Sequence, residues 1–438
     1  MRLTAGYLNM FRIPELKRRL LFTGFILLIY RMGSHVPVPG VDTAALGDFF
    51  ESMAGGLFGL YDMFAGGNLS RATIFALGIM PYISASIIFQ LMQAVVPALE
   101  KLAKEGEEGR AKITQYTRYA TVALAAIQAA GMAIAVQQLQ APSGAPVVPD
   151  PGLFFQFQMV ITLIAGTMFV MWLGEQITER GIGNGISLII TVGILASYPG
   201  QWMRVAQQLQ VGAMHPVVFV VLCIFMTAVI AAVILMTQGQ RRIPVQYAKK
   251  MVGRRMYGGA STHIPLKVNT AGVIPIIFAQ SIIMAPGMLG QYFPNNGFAT
   301  AMSNIFAPGA PVYIIVYSTI IIFFAYFYTA VVLNPVDLAD NMKKYGGFIP
   351  GIRPGKRTAE FIDRVLTRVT LPGAIFLALI AVLPDVLIRQ ANVPFYFGGT
   401  GLLIVVGVTL DTLQQIESHL LMRNYEGFMK RGKMRARR

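Results

Sequence analysis

Uncharged or nearly uncharged runs, set apart by short polar or basic stretches, govern the pattern of this sequence. Ten of them are read as membrane-crossing helices: residues 20–35, 72–96, 119–139, 153–173, 186–203, 216–236, 271–289, 312–333, 369–387 and 400–413. About 20 apolar residues cross the hydrocarbon of a bilayer, and the fifth, ninth and tenth runs are short for that task. The first run follows Lys17, Arg18 and Arg19 in the manner of a signal peptide. Arg31 and then VPVPG stand where a small-residue cleavage site would be, so the run is read as the first span. The expected fold class is an all-α polytopic membrane protein with ten transmembrane helices. Each half holds an odd number of spans, so the second half enters from the opposite side, the arithmetic of two inverted five-helix halves.

Residues 57–90, LFGLYDMFAGGNLSRATIFALGIMPYISASIIFQ, depart from a plain span. Residues 57–71 are too polar and Gly-rich to cross a bilayer. Gly66, Gly67 and Asn68 break the segment, and Asn68 with Ser70 is expected to cap the helix that follows. From residue 72 the chain runs 28 residues without a charge, with Pro81 inside and Ser84, Ser86, Gln90 and Gln93 interrupting the apolar surface. Ile79, Ile83 and Ile87 fall on one face. Two readings compete. One is a short re-entrant piece feeding a helix that lines a path, since non-helical backbone at membrane depth is tolerated only beside a cavity or inside protein. The other is a surface loop before an ordinary kinked span.

Composition agrees with a membrane protein: 55% of the 438 residues are hydrophobic and only 13% charged, with a net charge of +16. Placement of that charge gives the orientation. Of the 36 Lys and Arg, 32 fall on one side of the proposed spans; the exceptions are Arg31, Arg71, Arg204 and Arg389. The positive-inside rule then puts both termini in the cytoplasm. Cys223, the one cysteine, lies in an apolar run and reads as a buried inert thiol. His35, His215, His263 and His419 show no metal-ligand spacing.

Two cytoplasmic loops are long. Residues 240–267 carry seven positive charges and no acid, and in RRIPVQYAKK the alternation of Ile243, Val245 and Tyr247 predicts a protruding strand or hairpin. The loop after the eighth run surrounds Arg353 with Gly-Gly and Pro-Gly turn chemistry. Attraction to anionic membrane lipid explains the charge. Length and turn content fit a docking surface for a large acidic or nucleic-acid-bearing partner.

Span interiors hold almost no ionisable groups; residues 268–336 contain none. Proton-coupled carriers keep such groups inside the membrane, so coupling of that kind is disfavoured. A secondary transporter of inverted-repeat type with broken helices stays as the alternative. GIRPGKRT (351–358) lacks the spacing and the Ser or Thr of a phosphate-binding loop, and GIGNG (181–185) lacks the third glycine of a dinucleotide fingerprint. Neither an enzyme nor any metal or cofactor is expected. Passive gating remains, in which apolar side chains from several helices close a pore by excluding water. Candidates are Ile79, Ile83, Ile186, Ile190, Ile274, Ile277 and Ile404; lipid-facing or core packing is the competing reading of each.

LSRATIFALGIMPYISASIIFQL (69–91), ITERGIGNGISLII (177–190), THIPLKVNTAGVIPIIFA (262–279), GFIPGIRPGKRTAE (347–360) and VPFYFGGTGLLIVV (393–406) resemble the SecY family, the central subunits of the bacterial protein-conducting channel. The likeness runs from the first span to the basic tail. It implies two five-span halves around a central hourglass pore, hinged between spans five and six, in the cytoplasmic (inner) membrane of a bacterium. The pore ring it implies is Ile79, Ile83, Ile186, Ile190, Ile277 and Ile404. Residues 57–71 match the plug, with Leu60, Tyr61, Asp62, Met63, Phe64, Ala65, Gly66, Gly67 and Asn68 at its centre. Ser84, Ser86 and Gln90 fit a lateral gate that meets signal sequences. Arg254, Arg255 and Arg353 match positions that dock the motor ATPase SecA and the ribosome. SecE would clamp the back and SecG would be peripheral. Unfolded secretory and membrane polypeptides would be the cargo.

The implied organisation is a cytoplasmic tail (1–19), an N-terminal half (20–203) carrying the plug, and an external hinge loop (204–215). A C-terminal half (216–413) with basic loops 239–268 and 334–368 and a basic cytoplasmic tail (414–438) complete it.

Overall fold

The computed structural model describes residues 13–52, 62, 65–142, 144–212, 215–247, 250–252, 255–257, 261–292, 297–391 and 400–435. In chain order the elements are α1 (Pro14–Gly33), α2 (Thr43–Ser52), α3 (Met80–Val95), α4 (Pro97–Lys104), α5 (Glu107–Gln137), α6 (Leu153–Arg180), α7 (Gly185–Gln210) and α8 (Pro216–Gln238). Strands β1 (Gln240–Tyr247), β2 (Lys250–Val252), β3 (Arg255–Tyr257) and β4 (Ser261–Lys267) follow, then α9 (Ile274–Tyr292), α10 (Gly297–Ile305), α11 (Pro311–Val332) and α12 (Pro335–Lys344). The chain ends with β5 (Gly347–Phe348), α13 (Lys356–Ala391) and α14 (Thr400–Arg435). Each of the ten apolar runs lies at least in part on a helix. Among the described residues six helices are long and apolar enough to cross a membrane: α5, α6, α7, α8, Pro311–Lys344 and Lys356–Pro384. The pair α3 and α4, bent by 99° where Pro97 follows Val96, raises this to seven if counted as one broken span.

The second run differs from expectation at its start. Residues 69–79 are turns, and helix begins only at Met80, with Pro81 in the first helical turn. A proline ring inside a helix would meet the carbonyl four residues earlier and leaves that carbonyl without a donor, whereas in the first turn the missing N–H costs nothing. Asn68 and Ser70 therefore do not cap a helix. The turns pair instead with the chain leaving α1: Val38 N–H donates to Ala72 O at 2.7 Å and Ile74 N–H to Val36 O at 3.0 Å.

The chain divides into two compact units. The first comprises Met1–Ala213, Met284–Ala307 and Ile404–Arg438. In it α5 packs on α3 and α6, α6 on α7, and α1 on α6. A buried stripe of Thr117, Thr121, Ala125, Ala129 and Ala133 runs at every fourth position along α5. Small residues in such a stripe let helices approach without a hydrophobic drive between them. At one end of that contact Arg118 grips Glu175 through two hydrogen bonds, 2.9 and 2.8 Å.

The second unit comprises Met214–Ile283 and Pro308–Leu403. Here α13 packs on α11 and α12. The basic loop does form a hairpin: β1 and β4 pair antiparallel from Gln240↔Lys267 to Gln246↔Ser261. Ile243 and Val245 point into a core while Tyr247 is exposed. Strand β5, from the other basic loop, pairs with the far edge of β1, so both loops share one sheet. Leu266, Met342, Ile349, Ile362 and Leu366 fill the core beneath it. Cys223, expected buried, is half-buried on α8, whose apolar surface is mostly exposed.

Candidate functional site

The site assembles where residues 65–72 return toward α3. Gly67 N–H donates to the Asp62 carbonyl at 2.7 Å, and Asp62 Oδ1 accepts from Leu69 N–H and Ser70 N–H, each at 2.9 Å. Burial pushes the Asp62 carboxyl above the usual carboxylate range, opposed by those hydrogen bonds and by the charge of Arg71. Ala65 is buried against Gly78, whose added Cβ would stand 3.5 Å from Ala65 Cα. Gly66 lies on Gly193 of α7, an added Cβ standing 2.9 Å from Gly193 Cα. The return segment thus touches two walls, one beside Ile79 and the other one helical turn beyond Ile190. Leu60, Tyr61, Met63 and Phe64 lie outside the described residues.

Of the expected ring, Ile79 and Ile83 are buried on the first turn of α3, Ile79 as its N-cap residue. Ile190 is buried on α7; Ile186 is half-buried against Gly174 of α6, its Cγ1 3.0 Å from where a Cβ there would sit. Ile404 is fully buried on α14. The start of α7 is tied to α14, because Gly183 N–H donates to Gln415 Oε1 at 3.0 Å. Leu16, Ile182 and Ile416 form a small core beside that tie. Ile277 is buried on α9 within the second unit, as is its neighbour Ile276. The polar residues of α3 satisfy one another in part: Gln90 Nε2 donates to Ser86 Oγ at 3.0 Å, and both, like Ser84, are half-buried.

On the sheet, Arg353 is exposed between β5 and α13. Its carbonyl accepts from Thr358 Oγ1 at 3.0 Å, and Ile349 and Ile352 anchor the turn in the core below. Arg255 lies on β3, paired with Val252. Arg254 lies outside the described residues. Among the described residues no group of His, Cys, Asp and Glu could hold a metal ion. Sequence reasoning misses Tyr30 and Gly193, which meet the return segment, and Gln415, which ties α14 to α7. A tyrosine or glycine inside an apolar run carries no periodic signal.

Comparison with known proteins follows the same line. The SecY family matches residues 73–413. The protein translocase subunit SecY of Escherichia coli (strain K12) is 49% identical over 426 residues, covering 97% of this chain and 96% of that protein. Among solved structures, one concerns the plug domain of SecY as stabilising the closed state of the translocation channel and maintaining a membrane seal. It matches with a TM-score of 0.65 at 21% identity, over 93% of this chain and 96% of that one. Sec61 in a canine ribosome–channel complex from the endoplasmic reticulum matches with a TM-score of 0.61 at 18% identity, over 93% and 96%.

Proposed function

Because this chain belongs to the SecY family, we propose that it is a passive, gated protein-conducting channel that moves unfolded polypeptides across a membrane and releases hydrophobic segments sideways into lipid. It is a channel and not an enzyme, and family membership disfavours the secondary-transporter alternative. The observation that carries the reading is the return segment 65–68, seated between the wall beside Ile79 and the wall beyond Ile190.

In the finer reading the ten helical runs all cross the bacterial inner membrane, in two inverted halves around an hourglass pore, with both termini cytoplasmic. Ile79, Ile83, Ile186, Ile190, Ile277 and Ile404 form an apolar collar. An apolar collar keeps out ions by dewetting, yet presents no charge that would trap a passing segment. Residues 57–71 plug it from outside. Ser84, Ser86 and Gln90 mark the seam where signal sequences enter. Segments rich in Leu, Ile, Phe or Val leave through that seam, since each Arg, Lys or Asp opposes transfer to the midplane by about 2.5–3.5 kcal/mol.

Energy comes from partners: SecA, the ribosome or the membrane potential. The sheet of the second unit, with Arg254, Arg255 and Arg353, is the docking surface for SecA and the ribosome. SecE and SecG complete the assembly, and anionic lipid lies against the basic loops. The test places cysteines at Ile83 and Ile404 in a Cys223→Ala background and stalls a translocating chain. Crosslinks from both positions to that chain are expected; crosslinks to lipid alone would overturn the collar.

A further inference from the structure

Resting on the reading of residues 57–71 as a plug, we propose that Tyr30 of α1 and Gly193 of α7 are positioning residues that form a releasable seat for its C-terminal end. Tyr30 is 3% exposed. Its ring stacks on Phe75, centroids 5.8 Å apart, and Phe75 stacks on Phe169 at 6.1 Å. The stack leaves the phenol little freedom, so its hydroxyl is a fixed point. Asn68 Nδ2 donates to that hydroxyl at 3.3 Å and to the Ala65 carbonyl.

Beside it, Gly66 has φ +78°, a conformation glycine adopts without strain. A Cβ added at Gly66 would stand 2.9 Å from Gly193 Cα and 3.0 Å from the Tyr30 hydroxyl. One added at Gly193 would stand 3.1 Å from Gly66 Cα. Glycine at both positions lets the backbones approach this closely; a Cβ at Gly193 would need Gly66 to give by a few tenths of an ångström.

The contact has two properties a plug seat needs. It is specific, because the glycine pair and the fixed hydroxyl admit one placement of residues 65–68. It is also weakly held. Two glycines interlock no side chains, and Asn68 Oδ1 is buried without a hydrogen-bond partner among the described residues, which lowers the stability of the seated state. A larger apolar seat would hold the plug too firmly for an arriving chain to displace.

Resting ion conductance, measured in planar bilayers with the channel reconstituted with its partner subunits, tests the seat. Gly193→Ala is expected to raise it about tenfold by wedging Gly66 off α7. Tyr30→Phe keeps the ring stack and removes only the hydroxyl, and should raise conductance roughly threefold. Deleting residues 62–71 should raise it further, and Gly193→Ala added to that deletion should change nothing more. Native conductance in both single variants beside a leaky deletion would overturn the seat and leave the plug reading standing. A rise from Gly193→Ala that persists in the deletion would also overturn the seat. Native conductance in the deletion itself would overturn the plug reading, and the seat with it.

Discussion

Asp62 gives the sharpest quantitative expectation. Its Oδ1 receives two backbone N–H groups, from Leu69 and Ser70, each at 2.9 Å, and these bonds close the loop that presents Ala65 and Gly66 to the walls. A hydrogen bond to a charged group contributes about 1.5–3 kcal/mol, so the pair contributes about 3–6 kcal/mol. Desolvation outweighs these bonds in setting the pKa of the carboxyl, which lies above its ordinary range, so the effect of removing it is set by the buried N–H groups left unpaired, about 1–3 kcal/mol each. Asp62→Ala removes the one oxygen that accepts both bonds and strands two N–H groups. Even the lower figure, about 2 kcal/mol for the two, shifts the seated-to-released ratio roughly thirtyfold. Asp62→Asn keeps an acceptor oxygen at about 1 kcal/mol per neutral bond, so it should fall between native and Ala. The assay is resting conductance in planar bilayers. Native conductance for Asp62→Ala, measured beside a leaky 62–71 deletion, would refute the claim that this carboxylate holds the loop closed.

The same carboxyl gives a pH dependence. Its pKa is raised by burial in the seated loop, so the seated state binds a proton more tightly than the released one. Lowering the pH from neutral toward that raised value should stabilise seating and lower the leak, while Asp62→Asn should show a flat profile; a leak that grows over this window contradicts the sign. On the sheet, Arg353→Glu should lower SecA-driven export about tenfold by placing like charge against an acidic partner; an unchanged export rate in proteoliposomes would remove Arg353 from the docking surface. In the second unit Tyr317 OH donates to the buried Gln280 Oε1 at 2.8 Å, while Gln280 Nε2 has no partner among the described residues. Tyr317→Phe should cost about 1–3 kcal/mol in denaturant unfolding, and adding Gln280→Leu should recover most of it; a Tyr317→Phe variant as stable as native protein refutes this.

Hydropathy makes the helices legible because lipid demands long apolar segments with internally satisfied backbones. Period-two alternation makes β1 legible in the same way, since Ile243 and Val245 face a core that excludes Arg242. The failures have a common cause. Residues 72–79 are as apolar as a helix, and Phe75, Ala76 and Leu77 are indeed buried, yet they form turns, and helix starts only at Met80 with Pro81 in its first turn. Hydropathy reports burial and is silent on backbone. The pairing of Gln246 with Phe348 joins positions far apart in the chain with no local signal. The residue pattern offers the isoleucines as candidates, Ile274 among them, and only family likeness chooses between them, because an isoleucine facing a pore and one facing lipid obey the same pattern. Tyr30 shows the limit most plainly: its role depends on where residues 65–68 return, which no spacing along α1 encodes.

Joining both basic loops in one sheet changes what docking can do. A loop on a flexible tether would absorb a partner's push as local motion. Here the turn carrying Arg353 is pinned on both sides: Ile349 and Ile352 sit in the core shared with Ile243, Val245 and Leu266, and Thr358 reaches back to the Arg353 carbonyl. That core also contains Ile362 and Leu366 of α13, the helix whose first turn holds Thr358 and that packs along α11. Displacing the turn relative to α13 would therefore tear apart a close-packed cluster, and packed interiors deform little before they break. Load applied at Arg353 passes into α13 and the second unit as a body. On the docking proposed for this surface, a partner gripping it would act on α13 and α11 without any hydrolysis by the channel itself.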